Sequence, residues 1–175
     1  MSKNIDCIAF HEAGHAVASI LTGTSFRYVT IKEDSEKNEY GKRSLGHIMY
    51  ENPRSKEEWD QISILNPNEF DVFFKDDFVG LAGLIAERLY KGKISWKGSK
   101  EDLRQFFGIS LYKLPDCLGE KYLSFLLEYT FQVLNTKQNW SNIVAVALAL
   151  IDKETLSYDQ VREIIGKDNE DPVVK

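Results

Sequence analysis

Ile5-Asp6-Cys7-Ile8-Ala9-Phe10-His11-Glu12-Ala13-Gly14-His15-Ala16-Val17-Ala18-Ser19-Ile20-Leu21-Thr22-Gly23 is the stretch on which the reading of this chain turns. Ile5, Ile8, Ala9, Ala13, Ala16, Val17, Ile20 and Leu21 recur at three- and four-residue spacings, the period of one buried helical face, and Gly23 supplies a stop. On such a helix His11 and His15, four residues apart, share a face and can turn both imidazoles toward one metal ion. Glu12 lies one residue along and about 100° around the axis, beside the metal rather than on it. There it can accept a proton from an activated water and deliver it to a leaving amine, the acid-base half of metal-assisted peptide hydrolysis. Ala13 and Gly14 are small enough to let another element pack close behind the histidines. The motif predicts one zinc ion per chain, held in part by His11 and His15. A catalytic zinc also needs a third protein ligand and an open position, and the pentapeptide does not contain that ligand. The alternative for the same residues is an amphipathic helix with two structural histidines and an ordinary solvated Glu12.

Outward from this helix, Phe26-Arg27-Tyr28-Val29-Thr30-Ile31 and Leu45-Gly46-His47-Ile48-Met49-Tyr50 are rich in β-branched and aromatic residues and read as two short strands. The polar stretch Glu33 to Ser44 joins them as an exposed loop. Ser55-Lys56-Glu57-Glu58 is a capping-box pattern that predicts a short helix through Leu65. Phe70 to Tyr90 has helical apolar spacing ended by Gly92, with Gly80 and Gly83 lowering its propensity while allowing close packing. Helix signals recur over Ser99 to Tyr112, Asp116 to Asn135, Trp140 to Lys153 and Ser157 to Ile165, each behind a polar residue able to cap it. The expected fold is therefore mainly α with a small β element.

With 175 residues and 43% apolar content, the chain has enough material for one compact core, expected over residues 1–166, with 167–175 as a frayed tail. The 27 acidic and 22 basic residues are interspersed, and no Lys/Arg block provides a phosphate-binding footprint, which argues against nucleic acid as the partner. Cys7 and Cys117 form no Cys-x-x-Cys spacing and fit idle thiols in a reducing compartment, so the cytoplasm is the expected location. The most apolar run, Ile143 to Ile151, is far short of the roughly 20 residues that cross a bilayer, and no signal peptide is evident, so no membrane anchor is expected.

His11-Glu12-Ala13-Gly14-His15-Ala16-Val17 resembles the zinc motif of the FtsH family of membrane-anchored AAA+ metalloproteases, and the likeness continues in order. Val29-Thr30-Ile31 followed by Leu45-Gly46 is similar to that family's strand pair. Leu81-Ala82-Gly83-Leu84-Ile85-Ala86-Glu87 resembles its Gly-Gly-Arg-x-Ala-Glu helix, and Ser95 through Leu103 resembles the loop ending in Asn-Asp-Leu. Ala149 through Leu156 resembles its late Leu-Leu-Glu-Lys-Glu-Thr-Leu segment. The resemblance implies a helical protease domain with Asp102 as third zinc ligand. Glu101 stands where the family has asparagine and is an alternative ligand. Ser99-Lys100-Glu101-Asp102 also reads as a helix-capping pattern. Glu87 is expected to orient a ligand imidazole or to serve as another alternative ligand, the other reading being a plain surface carboxylate.

The departures from the family concern the surroundings of the site. Only ten residues precede the motif, so no ATPase module or membrane helices are expected. The Glu33 to Ser44 loop and the Pro53 to Lys75 segment are longer than the family pattern, and His47 replaces an aromatic residue. Leu45, Gly46 and His47 are the candidate strand to which an extended substrate would add by main-chain hydrogen bonds. The leading expectation is a zinc-dependent endopeptidase acting on unfolded polypeptide segments or peptides. One rival is a catalytically silent metal-binding or regulatory module. Another is a protease subunit that works only when docked to a separate ATPase or to copies of itself, as the family's hexameric rings imply.

Overall fold

The computed structural model describes residues 5–33, 45–93, 103 and 113–168. The expected helix over Ser99 to Tyr112 lies outside these residues apart from Leu103, as do Glu101, Asp102, positions 34–44 of the long loop and the terminal residues 169–175. The described elements, in chain order, are α1 (Ile5–Thr22), β1 (Phe26–Thr30), β2 (His47–Tyr50), α2 (Lys56–Gln61), α3 (Pro67–Lys91), α4 (Asp116–Leu134), α5 (Lys137–Lys153), β3 (Thr155–Ser157) and α6 (Tyr158–Asp168). The protein is mainly helical with one small sheet, as the periodicities predict. No helix among the described residues is long and apolar enough to cross a membrane.

α1 is the central helix, packed on α3 along one side and on α5 along another. Its alanines make this possible: Ala9, Ala13 and Ala16 are fully buried, and Gly14 lies against the backbone of α3. A Cβ at Gly14 would come within 2.6 Å of both the Ala82 carbonyl oxygen and Ala86 Cβ. The main core adds Phe26 and Val29 from β1, Leu81, Leu84 and Ile85 from α3, Leu126 and Leu134 from α4, and Ile143, Val146 and Leu150 from α5. A second cluster of Trp59, Ile64 and Phe73 sits beneath α2.

The sheet has the order β2-β1-β3 with both pairings antiparallel. Val29 pairs with Ile48 on one side and Leu156 on the other, so one row of apolar side chains crosses the sheet and faces the helices. The register slips between Phe26 and Tyr28, a bulge near the strand's start. β3 is absent from the sequence expectations, which treat this region as the end of one helix and the start of the next. It forms because Glu154 leaves α5 in the left-handed region at φ 62°, turning the chain back along β1. The Glu154 carbonyl then accepts the Ile31 amide at 2.9 Å and the Thr30 hydroxyl at 3.0 Å.

Several boundaries differ from expectation for local reasons. α2 stops at Gln61 rather than Leu65, although Ser55 and Glu58 form the predicted reciprocal capping box. Ile62 turns extended, the Lys113 ammonium bonds the Trp59 and Ile62 carbonyls, and Ile64 is left to pack beneath Trp59 and Phe73. α3 begins at Pro67 behind an Asn66 cap and ends at Gly92 with φ 71°, so proline at the first turn and glycine past the last bracket the helix. α4 follows Pro115, which makes no side-chain cap, in place of the polar cap expected there. α5 starts three residues before Trp140 because the Thr136 hydroxyl accepts the Asn139 amide at 3.3 Å. α6 runs to Asp168, past the expected end at Ile165 and into what was expected to be tail.

Candidate metal centre

α1 carries His11, Glu12 and His15 into the interior, where α3 meets them. Glu12 is 6% exposed and His15 5%, a degree of burial that a solvated carboxylate and a surface imidazole would not have. His15 Nδ1 lies 2.7 Å from the Val79 carbonyl oxygen of α3. A carbonyl oxygen only accepts, so Nδ1 is the donor, and in the neutral ring this tautomer leaves the lone pair on Nε2. That nitrogen points at His11 Nε2, 3.1 Å away. Two nitrogens bound to one tetrahedral zinc at about 2.0–2.1 Å would stand about 3.3 Å apart. The observed separation therefore fits a shared metal with minimal adjustment.

Gly83 of α3 faces the point where the two rings converge. A Cβ there would overlap His15 Nε2 and come within 2.7 Å of His11 Nε2. The glycine is thus the floor of a cradle that any larger residue would fill. Gly80, one turn earlier, has open space around it and plays no comparable part.

Glu87, also on α3 and buried, has Oε2 3.7 Å from His11 Nδ1 and Oε1 in an ion pair with Lys91. At 3.7 Å the imidazole contact is electrostatic rather than a formed hydrogen bond. Burial alone would raise the Glu87 pKa, but His11 and Lys91 outweigh it and hold the carboxyl below its ordinary value. The carboxylate lies on the Nδ1 side of His11, away from the converging Nε2 atoms, so its geometry suits orienting the ring rather than joining the metal.

The segment leading into β2 approaches from the other side. A Cβ at Gly46 would come within 2.8 Å of Glu12 Oε1 and 2.9 Å of Ile8 Cγ2, so this backbone rests directly on the carboxylate. His47 turns to the neighbouring strand, with Nε2 3.2 Å from the Tyr28 hydroxyl and the two rings edge to face. Leu45 is exposed.

The structure therefore brings together His11, His15, Glu12, Glu87 and Gly46. Among the described residues no group of three or more His, Cys, Asp or Glu is arranged to hold a metal ion, and Asp102 and Glu101 are not among those residues. One contributor escaped the sequence reading. The Val79 carbonyl is a backbone group 64 positions from His15, with no signal in its side chain. Gly83 was legible as a close-packing glycine, but the identity of its neighbours was not. No protein-family model matches the chain, and no curated protein matches it.

Proposed function

We propose that this protein is a zinc-dependent endopeptidase that hydrolyses peptide bonds in unfolded segments or peptides. The observation that carries the reading is the convergence of His11 and His15 Nε2 at 3.1 Å above Gly83, with the His15 tautomer set by Val79. The donor set suits zinc: two converging imidazole nitrogens, with a carboxylate positioned behind one of the rings. Asp102 is the proposed third ligand, on the sequence resemblance. When bound, zinc would lower the pKa of a coordinated water and polarise the scissile carbonyl.

The chain's own groups supply the rest. Glu12 takes a proton from the attacking water and returns it to the departing amine nitrogen. Its burial keeps that carboxylate poorly solvated and fixed beside the histidines. The Val79 carbonyl and the Glu87 carboxylate hold the two imidazoles in their orientations. β2 stands at one end of the sheet order, and the backbone of Gly46 at its threshold touches Glu12. An extended substrate aligned along Leu45, Gly46 and His47 would therefore present a peptide carbonyl next to the base.

The test is metal analysis of the purified protein with a hydrolysis assay on unfolded casein. One zinc per chain is expected, with activity lost to a chelator and regained on adding zinc. A protein that binds no zinc, or that keeps its zinc and cleaves nothing, would overturn the proposal.

A further inference from the structure

Away from the metal centre, α4 exposes a stripe in which apolar and charged residues alternate. Lys121, Phe125, Glu128 and Gln132 lie along its midline, with Glu120 and Ser124 on one flank and Tyr129 on the other, and together they line an open groove. Phe125 is 53% exposed, Leu118 42% and Tyr129 39%. These rings continue an aromatic row from α3: Phe74 lies 5.1 Å from Tyr129 and 6.4 Å from Phe125, and Phe125 lies 5.8 Å from Tyr129. The row is thus anchored in the fold on one side, while Phe125 and Tyr129 remain exposed on the other.

Two of the three charges on this groove, Lys121 and Glu128, complement one another under reversal, while Glu120 stays at its rim. Lys121 and Glu128 are seven residues apart, about 10 Å along the axis, too far to pair directly within one helix. Glu128 accepts a hydrogen bond from Gln132 at 2.7 Å, which fixes its carboxylate on the stripe. Set a second α4 antiparallel across a two-fold axis passing between Ser124 and Phe125. Lys121 then faces Glu128 of the partner subunit, Glu128 faces Lys121 of the partner subunit, and the Phe125 rings meet near the axis. A two-fold interface requires this kind of self-complementarity, in which a contact from i to j is matched by one from j to i.

We propose that α4 is the contact face of a homodimer, formed by antiparallel packing of this stripe against the same stripe of a second copy. Phe125 and Tyr129 provide the desolvated centre, and the two Lys121 to Glu128 pairs set direction and register. The inference is independent of the peptidase reading, because none of these residues touches the metal centre.

The test is the mass of the full-length chain in solution, by sedimentation velocity over a concentration series, on the wild type and three variants. The wild type should shift from one chain toward two as concentration rises. Lys121→Glu and Glu128→Lys should each weaken association by about tenfold, since each places two like-charge contacts in the interface. The combined Lys121→Glu/Glu128→Lys exchange should restore wild-type association, a result that a merely structural role would not produce. Both positions are on the surface, and unchanged melting temperatures would verify that the variants fold. A wild type that stays monomeric throughout would overturn the proposal. So would a dimer indifferent to both single reversals, or an exchange variant no better than either single one.

Discussion

A methyl group at position 83 would occupy the space in which the His11 and His15 Nε2 atoms meet. Gly83→Ala should raise intrinsic helix stability by up to about 1 kcal/mol, because glycine is a poor residue in a helix interior. The same methyl must push the imidazoles apart, so zinc binding should fall sharply while the helix persists. Measuring zinc per chain alongside circular dichroism checks this; full zinc occupancy in that variant would place the metal elsewhere. Thr130 tests a different local rule. Its hydroxyl is buried in α4 without a hydrogen-bond partner among the described residues, a state that costs about 1–3 kcal/mol by mutational measures. Thr130→Val keeps the branched shape and removes the polar atom. The variant should be more stable by about 1 kcal/mol in urea unfolding. A loss of stability would mean that the hydroxyl has a partner.

Between elements, the Tyr122 hydroxyl on α4 donates to Asp77 Oδ2 on α3 at 2.8 Å, and Asp77 is buried. Burial, then the Asp77 charge and the hydrogen bond itself, push the Tyr122 hydroxyl far above its usual pKa, so it remains a donor at any physiological pH. Tyr122→Phe should cost about 1.5–3 kcal/mol, the usual worth of a hydrogen bond to a charged group. Equal unfolding midpoints for the two proteins would show the bond contributes nothing. The same scale decides how much was legible beforehand. α1 and α3 could be read because their apolar periods are long and their ends carry Gly23, Pro67 and Gly92. β1 and β2 could be read from their β-branched and aromatic runs. β3 could not, because three residues show no periodicity and their strand exists only through pairing with β1. The early end of α2 was also hidden, since it depends on Lys113, 51 positions from Ile62. At the site, spacing along one helix predicted the paired histidines and the adjacent carboxylate. What α3 and β2 bring to them depends on tertiary approach, which no local pattern encodes.

For the molecule as a whole, the proposed chemistry and its delivery of substrate are separate matters. The chain contains no Gly-x-x-x-x-Gly-Lys-Ser/Thr phosphate loop with which to use nucleotide. Access to the base beside Gly46 should then depend on whether a substrate segment is already extended. Casein should be cleaved without ATP, and a stably folded domain should resist; stimulation of the purified chain by ATP would contradict this. In the proposed mechanism Glu12 performs the acid-base step at a zinc centre built on His11 and His15. Glu12→Gln keeps the side chain's size and nearly its helix propensity, and removes its charge and its capacity to accept a proton. The decisive measurement is the rate of peptide hydrolysis by this variant and the wild type, with zinc content and melting temperature recorded on the same samples. Zinc content and folding should be unchanged, and the rate should be lower by about 100- to 10,000-fold. Hydrolysis at the wild-type rate with zinc still bound would contradict this mechanism.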